Sequence, residues 1–210
     1  AYEFVEKPFS SEKLLNYVKR AIEVTNIKKE KNNAEIKLYH SFDLVGKSAE
    51  ILKINKTIEK LSVAESRVLI TGQTGTGKEL VARIIHKKSF RSENTFVVFN
   101  AALLQENKYE KQLFGEEYKN GNIDYGVLDK ANHGTLLLDE VSETPFEIQS
   151  NILRILIDQK FKRINGTEDI HVNIRIISST AKDLKKLIEE KKFREDLYHR
   201  LNVVPIHLPP

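Results

Sequence analysis

One short stretch, residues 67–79 with the sequence RVLITGQTGTGKE, restricts what this chain can fold into more than any other. It begins with apolar and β-branched residues, which predict a buried strand. Glycines and Lys78 follow, and then the run LVARII, which predicts a helix. A strand, a glycine-rich turn and a helix N-terminus together form a phosphate-binding loop, because backbone N–H groups and the helix dipole both favour an anion there.

The spacing inside this turn fits the phosphate-binding pattern G-x-x-x-x-G-K from Gly72 to Lys78. We therefore predict that Lys78 contacts the β- and γ-phosphates of a nucleotide. Glu79 departs from the pattern, which has Ser or Thr here as a ligand of Mg²⁺. The alternative is a glycine-rich turn without a ligand. The predicted nucleotide-binding residues of the loop are Gly72, Gln73, Thr74, Gly75, Thr76, Gly77, Lys78 and Glu79.

A second candidate element of the site is the pair Asp139 and Glu140, which follows an apolar run at residues 136–138. An aspartate at the end of a strand beside the phosphate loop can hold Mg²⁺, directly or through water. The adjacent glutamate can orient and deprotonate an attacking water. Together with the upstream loop, the pair predicts a site that hydrolyses a nucleoside triphosphate with Mg²⁺ as cofactor.

Apolar runs alternate with helical periodicity along residues 43–210, which predicts an α/β domain. Besides the strand before the loop, we predict strands over residues 95–99, 135–138, 174–179 and 203–207. Because these strands are apolar throughout, we expect a parallel five-stranded sheet covered by helices on both faces, a three-layer α/β/α architecture. Ligand groups should lie at the carboxyl ends of the strands. Polar residues predicted at these ends include Thr71, Asn100, Asp139 and Thr180.

The segments before this domain differ in character. Residues 1–25 carry an apolar face at helical spacing after Ser10 or Ser11, which predicts a capped helix. Residues 26–42 are polar and charged, which predicts a linker. The lysines of this linker could contact DNA, although a solvated surface is the simpler interpretation.

Composition narrows the class of protein further. The chain has no cysteine, which excludes disulfides and thiolate metal sites, and no apolar run long enough to cross a membrane. Both observations favour a cytoplasmic protein without a membrane partner. The net charge of +4 is dispersed, so a solvated surface explains it better than a nucleic-acid site does.

At this point the motifs resemble a known family, the AAA+ ATPases of the NtrC type, which are sigma-54-dependent transcription activators. The matching segments are GQTGTGKE at 72–79, QLFG at 112–115, GTLLLDE at 134–140 and FREDLYHRLNVVPIHLPP at 193–210. That family regularly carries Glu after the loop lysine. The resemblance covers residues 44–210 and implies a P-loop AAA+ core over 43–210. Residues 1–25 resemble the C-terminal end of a response-regulator receiver domain, which would place a receiver-tail helix and the linker before the core.

The resemblance also implies roles for individual residues. Asn100 would restrain the catalytic Glu140 until the site is engaged. Val45 and Gly46 would contact the adenine side of ATP. Arg194 and Arg200 would be arginine fingers that reach into the site of a neighbouring subunit. Without the family match, a surface salt bridge would be the better interpretation of each arginine.

The partners that the resemblance implies are those of a two-component regulator. They are other copies of the chain in a hexameric or heptameric ring, RNA polymerase with sigma-54, and a sensor histidine kinase acting through the receiver. DNA would be bound through a further domain. In the family, that domain and a helical lid follow the core, and both are missing from this sequence.

The sequence departs from the family in the remodelling loop and in a sensor residue. Residues 116–125, EEYKNGNIDY, lack the family's Gly-Ala-Phe-Thr-Gly-Ala motif that touches the sigma factor, a degenerate loop that resembles NtrX-like members. Ala181 stands where the sensor is usually Asn, so we predict that Thr180 partly substitutes for it.

Two functions are therefore carried forward. The first is an ATP-binding AAA+ core that hydrolyses ATP as an oligomer and controls transcription. The alternative is a regulatory scaffold that binds nucleotide without hydrolysis and no longer remodels sigma-54 polymerase. An unrelated P-loop enzyme such as a kinase or helicase would have no role for the closing arginine motif.

Overall fold

The computed structural model describes Leu44, residues 48–103 and residues 106–210, except for the side chains of residues 106 and 107. The predicted receiver end at 1–25, the linker at 26–42 and the adenine contacts of Val45 and Gly46 lie outside the described residues. The described residues all belong to one unit, Leu44–Pro210.

Helices and strands alternate along this unit. The helices are α1 (Ala49–Ser62), α2 (Lys78–Lys87), α3 (Glu106–Phe114), α4 (Val127–Lys130), α5 (Phe146–Asp158), α6 (Leu184–Glu189) and α7 (Glu195–Leu201). The strands are β1 (Val68–Thr71), β2 (Phe96–Asn100), β3 (Gly115–Glu117), β4 (Ile123–Tyr125), β5 (Thr135–Asp139), β6 (Lys160–Phe161), β7 (Ile170–His171), β8 (Arg175–Thr180) and β9 (Val204–His207). None of the described helices combines the length and the apolar character needed to cross a membrane.

Five of the strands form one sheet in the order β2-β5-β8-β1-β9, and every pairing in it is parallel. This confirms the predicted five-stranded parallel sheet. Because the strands are parallel, all their carboxyl ends lie at one edge. The register places Asn100 opposite Asp139, and Thr71 opposite Thr180, at that edge.

The two faces of the sheet carry separate hydrophobic clusters, as a three-layer architecture requires. On β5, Leu136 and Leu138 belong to one cluster and Leu137 to the other, which follows from the alternation of side chains along a strand. The first cluster includes Ile148, Ile152 and Ile155 of α5 with Leu197 and Leu201 of α7. The second includes Ile54, Ile58 and Leu61 of α1 with Val81, Ala82 and Ile85 of α2.

Residues 116–125, where the resemblance places the remodelling loop, lie in an antiparallel hairpin of β3 and β4. A second hairpin, β6–β7, lies against it, since the Glu117 N–H donates to the Ile164 carbonyl at 3.0 Å. The guanidinium of Arg163 also pairs with the carboxylates of Glu117 and Asp129. These contacts fix the first hairpin to the body of the domain.

At the opposite edge of the sheet, His86 at the end of α2 is buried and its Nδ1 lies 2.8 Å from Thr135 Oγ1. Burial is the main cause that lowers the pKa of His86 from 6.5 to about 4, and the positive charge of Arg175 adds to it. The folded state therefore keeps this imidazole neutral at pH values where the unfolded chain protonates it.

We predict that His86 makes the domain less stable as the pH falls from about 6.5 towards 4. The unfolded state binds the extra proton in this window, so the free energy of unfolding should fall by roughly 1 kcal/mol per pH unit from this group. In His86→Gln, the free energy of unfolding should depend less steeply on pH in this window. The loss of stability that comes from protonation of carboxylates should remain. Urea unfolding between pH 7 and pH 4.5 measures both slopes, and equal slopes in the two proteins would contradict the assignment.

Candidate nucleotide-binding site

The predicted phosphate-binding loop joins β1 to α2 at the carboxyl edge of the sheet. Gly77, which caps α2, has a φ of 88°, in the left-handed region that favours glycine. A Cβ on Gly72 would lie 2.8 Å from Thr76 Oγ1 and 2.9 Å from the Leu208 carbonyl oxygen, so the close packing of the loop also requires glycine. The tip of the loop, formed by Gln73, Thr74 and Gly75, is exposed.

The side chain of Lys78, the first residue of α2, lies at the centre of the site and is only 7% exposed. Its Nζ donates to the carbonyls of Gly72 at 3.0 Å and Gln73 at 3.2 Å, and it pairs with Glu140 Oε1 at 3.1 Å. An ammonium group has three N–H donors, so each can have an acceptor here. Lys78 thus joins the loop to the acidic end of β5.

The carboxylate of Asp139, the last residue of β5, accepts one hydrogen bond on each oxygen. Oδ2 accepts from Asn100 Nδ2 at 2.6 Å, and Oδ1 accepts from Ser179 Oγ at 2.5 Å. Because β5 lies between β2 and β8, the donors come from opposite sides. The carboxylate is therefore fixed in orientation by two uncharged side chains.

Glu140 follows Asp139 but points elsewhere because its backbone is left-handed, with φ 51° and ψ 52°. Such a conformation is uncommon for a residue with a side chain and often occurs at functional sites. Its carboxylate reaches Lys78 through Oε1, while Oε2 accepts from the Ala181 N–H at 2.9 Å. Consecutive acidic residues thus contact different parts of the site.

The structure shows which acidic residue Asn100 contacts. Its side-chain amide donates to Asp139 rather than to Glu140, which instead contacts Lys78 and the backbone of Ala181. The strand register explains the difference, since Asn100 is paired directly with Asp139 while Glu140 lies one residue beyond the strand. A restraining role of Asn100 on the glutamate stays a prediction without a direct contact to support it.

Two other predicted residues use their side chains locally. The carbonyl of Thr180 accepts from the Gly72 N–H at 3.3 Å, but its hydroxyl bonds to the backbone of Lys182. Glu79 Oε1 accepts from Arg83 Nε at 2.8 Å on the exposed surface of α2. Thr180 therefore contacts the loop through its backbone. The carboxylate of Glu79 pairs with a residue of its own helix.

The two predicted arginine fingers lie on the segment around α7. The guanidinium of Arg194 pairs with both oxygens of Asp196 at 3.0 and 2.7 Å, and this bond raises the pKa of Arg194. Arg200 is exposed, and its backbone carbonyl accepts from Arg67 Nη1 at 3.4 Å. Within the part of the chain that the structure describes, the Arg200 side chain has no hydrogen bond or ion pair.

A cavity of about 420 Å³ opens beside the loop at this edge of the sheet. Its walls include Gln73 of the loop, Ala181 and Lys182 after β8, Tyr198 of α7 and His207 of β9. This volume lies in the range of pockets that hold small molecules and cofactors. The described contacts therefore combine a phosphate loop with adjacent space for the rest of a ligand.

The acidic residues present fit Mg²⁺ bound together with a nucleotide better than a metal bound by protein alone. No cluster of three or more His, Cys, Asp or Glu suited to a metal occurs among the described residues. Mg²⁺ is usually held by one or two carboxylates together with substrate phosphates and water. Asp139, with its fixed carboxylate at the end of β5, is the residue that would contribute to such a site.

A parallel sheet with a glycine-rich phosphate loop after β1 and an Asp-Glu pair at the end of β5 is typical of a P-loop α/β domain. The model of the Sigma-54 interaction domain matches residues 44–207. The chain belongs to this family, which confirms the resemblance drawn from the motifs.

The chain is similar to several regulators over its whole length. The nitrogen assimilation regulatory protein NtrX of Azorhizobium caulinodans is 43% identical over 211 residues, which are 100% of this chain and 46% of that protein. The regulatory protein AtoC of Escherichia coli is 40% identical over 218 residues, 100% of this chain and 47% of its own. The chain thus spans slightly less than half the length of these relatives.

A crystal structure of NtrX from Brucella abortus in complex with ATP shares 44% sequence identity with this chain and has a TM-score of 0.78. The match covers 100% of this chain and 47% of that one. Together with the family match, it confirms the predicted P-loop AAA+ fold.

Sequence analysis missed the contact of Ser179 with Asp139 and that of the Ala181 N–H with Glu140. Ser179 ends the predicted strand over residues 174–179 and Ala181 follows it, but their partners depend on which strand lies beside β5. A pattern of apolar runs does not give that order. The signal for Ser179 was a polar, uncharged residue in an otherwise apolar run, at the strand end where ligand groups lie.

Proposed function

We propose that this domain binds ATP together with Mg²⁺ and hydrolyses the ATP within an oligomer of a response regulator that controls transcription. The observation that carries the proposal is the 3.1 Å ion pair between Lys78 of the loop and Glu140 after β5, beside a fixed Asp139. The ATP complex of the similar Brucella abortus NtrX supports the choice of nucleotide.

Binding of the triphosphate would use the backbone of the loop and the N-terminus of α2, where N–H groups and the helix dipole favour an anion. Lys78 would exchange contacts with its own loop carbonyls for the β- and γ-phosphate oxygens. Asp139 would hold Mg²⁺ directly or through water. The bound ion supplies positive charge that offsets the charge of the phosphates during transfer.

Hydrolysis would use Glu140 as the general base. A water attacks the γ-phosphorus, the bond from that phosphorus to the bridging oxygen of ADP breaks, and the carboxylate of Glu140 takes a proton from the water. The left-handed backbone at Glu140 holds this carboxylate 3.1 Å from Lys78, on the loop side of the site. The same carboxylate is also oriented by the Ala181 N–H at 2.9 Å.

A neighbouring copy of the chain would complete the site in an oligomer. Arg194 and Arg200 lie on the segment around α7. An arginine supplied by a neighbouring subunit stabilises the charge of the transition state and can raise the rate of hydrolysis by roughly 10³–10⁵-fold. Before Arg194 contacts a phosphate, it must give up its pairing with both oxygens of Asp196. The family implies a ring, a hexamer or heptamer, for such an assembly.

The role in transcription rests on the family and on the relatives named as regulatory proteins. In a longer regulator of this kind, a sensor histidine kinase would act through a receiver domain preceding the linker at 26–42, and DNA would be bound through a separate domain. Both partners are proposals, because the chain spans less than half of those relatives.

The second candidate is a nucleotide-binding regulator that does not remodel sigma-54 polymerase. The hairpin β3–β4 favours this second candidate, because the hairpin is short and is held to the domain by side-chain contacts. The Tyr118 hydroxyl donates to Asp124 at 2.9 Å and accepts from Lys111 at 2.6 Å, while Arg163 ties the hairpin to the domain through Glu117. The Phe-Thr pair that touches the sigma factor in the family is missing from this hairpin.

We predict different effects for Lys78→Ala and Glu140→Gln. Lys78→Ala should weaken ATP binding, because the loop loses its buried charge. Glu140→Gln should keep ATP bound and stop turnover, because an amide cannot take the proton from water. Calorimetric ATP titration and phosphate release measure the two effects. Lys87→Ala, in the last turn of the same helix, is the control and should change neither.

Turnover that continues in Glu140→Gln would rule out the base assignment. Unchanged ATP binding in Lys78→Ala would rule out the phosphate loop. A wild-type chain that binds ATP, assembles and releases no phosphate at any protein concentration would favour the second candidate over hydrolysis.

We also predict that Arg194→Ala keeps ATP binding and loses most of its turnover, since it retains its own loop and acids but no longer provides Arg194 to its neighbour. Mixing it with Glu140→Gln should restore part of the phosphate release. In a mixed oligomer, an Arg194 from the second variant can face an intact Glu140 of the first. The matched control is Arg154→Ala on the exposed side of α5, which should turn over ATP like the wild type. Inactive mixtures that still assemble would contradict an arginine in trans.

A further inference from the structure

The carboxylate of Asp139 is the centre of a row of three polar side chains across three neighbouring strands. Asn100 on β2 is its register partner, and Ser179 on β8 lies one residue beyond the pair Leu138 and Ser178. Side chains in one row across a sheet point to the same face. The row therefore presents an amide, a carboxylate and a hydroxyl together at the carboxyl edge.

The carboxylate of Asp139 can accept further hydrogen bonds besides the two in this row. An ionised carboxylate has about four lone-pair sites, and Asn100 and Ser179 use one on each oxygen. The remaining lone pairs can accept from water of a hydrated Mg²⁺ or bind the ion. Donors on both oxygens also stop rotation of the carboxylate about its Cβ–Cγ bond, which fixes where those lone pairs point.

Ser179 differs from the serine next to it in what its hydroxyl contacts. Both are buried in β8, with Ser179 at 0% and Ser178 at 1% exposure. The Ser178 hydroxyl donates to the backbone carbonyl of Val68 at 3.2 Å, a contact that supports the sheet. The Ser179 hydroxyl donates instead to the acidic side chain that would serve the metal, at 2.5 Å.

We propose that Ser179 is a positioning residue for Mg²⁺-dependent nucleotide binding, acting through Asp139. This inference rests on the proposed function, because it assumes that the domain binds ATP. Partners that orient metal ligands typically contribute 10–100-fold to metal affinity or activity. Ser179 should therefore matter for the part of the ATP affinity that depends on Mg²⁺, and not for contacts of the phosphate loop itself.

The test measures ATP affinity of the full chain by calorimetry, once with excess Mg²⁺ and once with EDTA. The ratio of the two affinities is the contribution of the metal. Ser179→Ala should lower this ratio by about tenfold with little change in EDTA. Ser178→Ala removes a buried hydroxyl from the adjacent position and should leave the ratio as in the wild type.

Two further variants strengthen the test. Ser179→Cys has a similar size and a weaker donor, so it should lower the ratio less than Ser179→Ala does. In an Asp139→Asn background, Ser179→Ala should have no further effect on the ratio, because the two residues act as one unit. An unchanged ratio in Ser179→Ala, or an equal loss of affinity with Mg²⁺ and with EDTA, would overturn the inference.

The failure of the proposed function gives a different result. A wild-type chain that binds no ATP in either condition would contradict the proposed function, and the role of Ser179 with it. A wild-type chain that binds ATP more tightly with Mg²⁺, while Ser179→Ala and Ser178→Ala behave alike, would contradict the role of Ser179 alone.

Discussion

The site depends on the contacts that the buried ammonium group of Lys78 makes. A buried charge is costly unless it is paired and hydrogen-bonded, and here two loop carbonyls and the carboxylate of Glu140 accept from it. The same contacts connect the end of β1 with the end of β5, although another strand separates them in the sheet. A single side chain thereby holds the glycine-rich loop and the acidic end of β5 together, the two parts of the site to which we assign phosphate binding and water activation.

Much of the fold followed from local pattern because the strands are apolar on both faces. Such runs have few other ways to be buried than in a parallel sheet between helices. The phosphate loop could also be predicted from the sequence, because the close packing at Gly72 and the left-handed backbone at Gly77 both require glycine. Asp139 and Glu140 were found because they end an apolar run in a chain that already had the loop.

The remaining contacts of the site could not be predicted from the sequence pattern, because they depend on the order and register of strands that are far apart in the sequence. The hydrogen bond from Asn100 to Asp139 follows from the pairing of β2 with β5, which the sequence pattern does not give. Glu79 pairs with Arg83 one turn along α2, and its predicted contact with the nucleotide stays a prediction. The receiver end, the linker and the adenine contacts at Val45 and Gly46 stay predictions.

A crystal structure of the chain with a non-hydrolysable ATP analogue and Mg²⁺ tests the central claim most directly. The account predicts the triphosphate along residues 72–78, with Lys78 Nζ within hydrogen-bond distance of β- and γ-phosphate oxygens and the ion beside Asp139. A triphosphate bound away from this loop, or a loop that stays empty at saturating analogue, would contradict it.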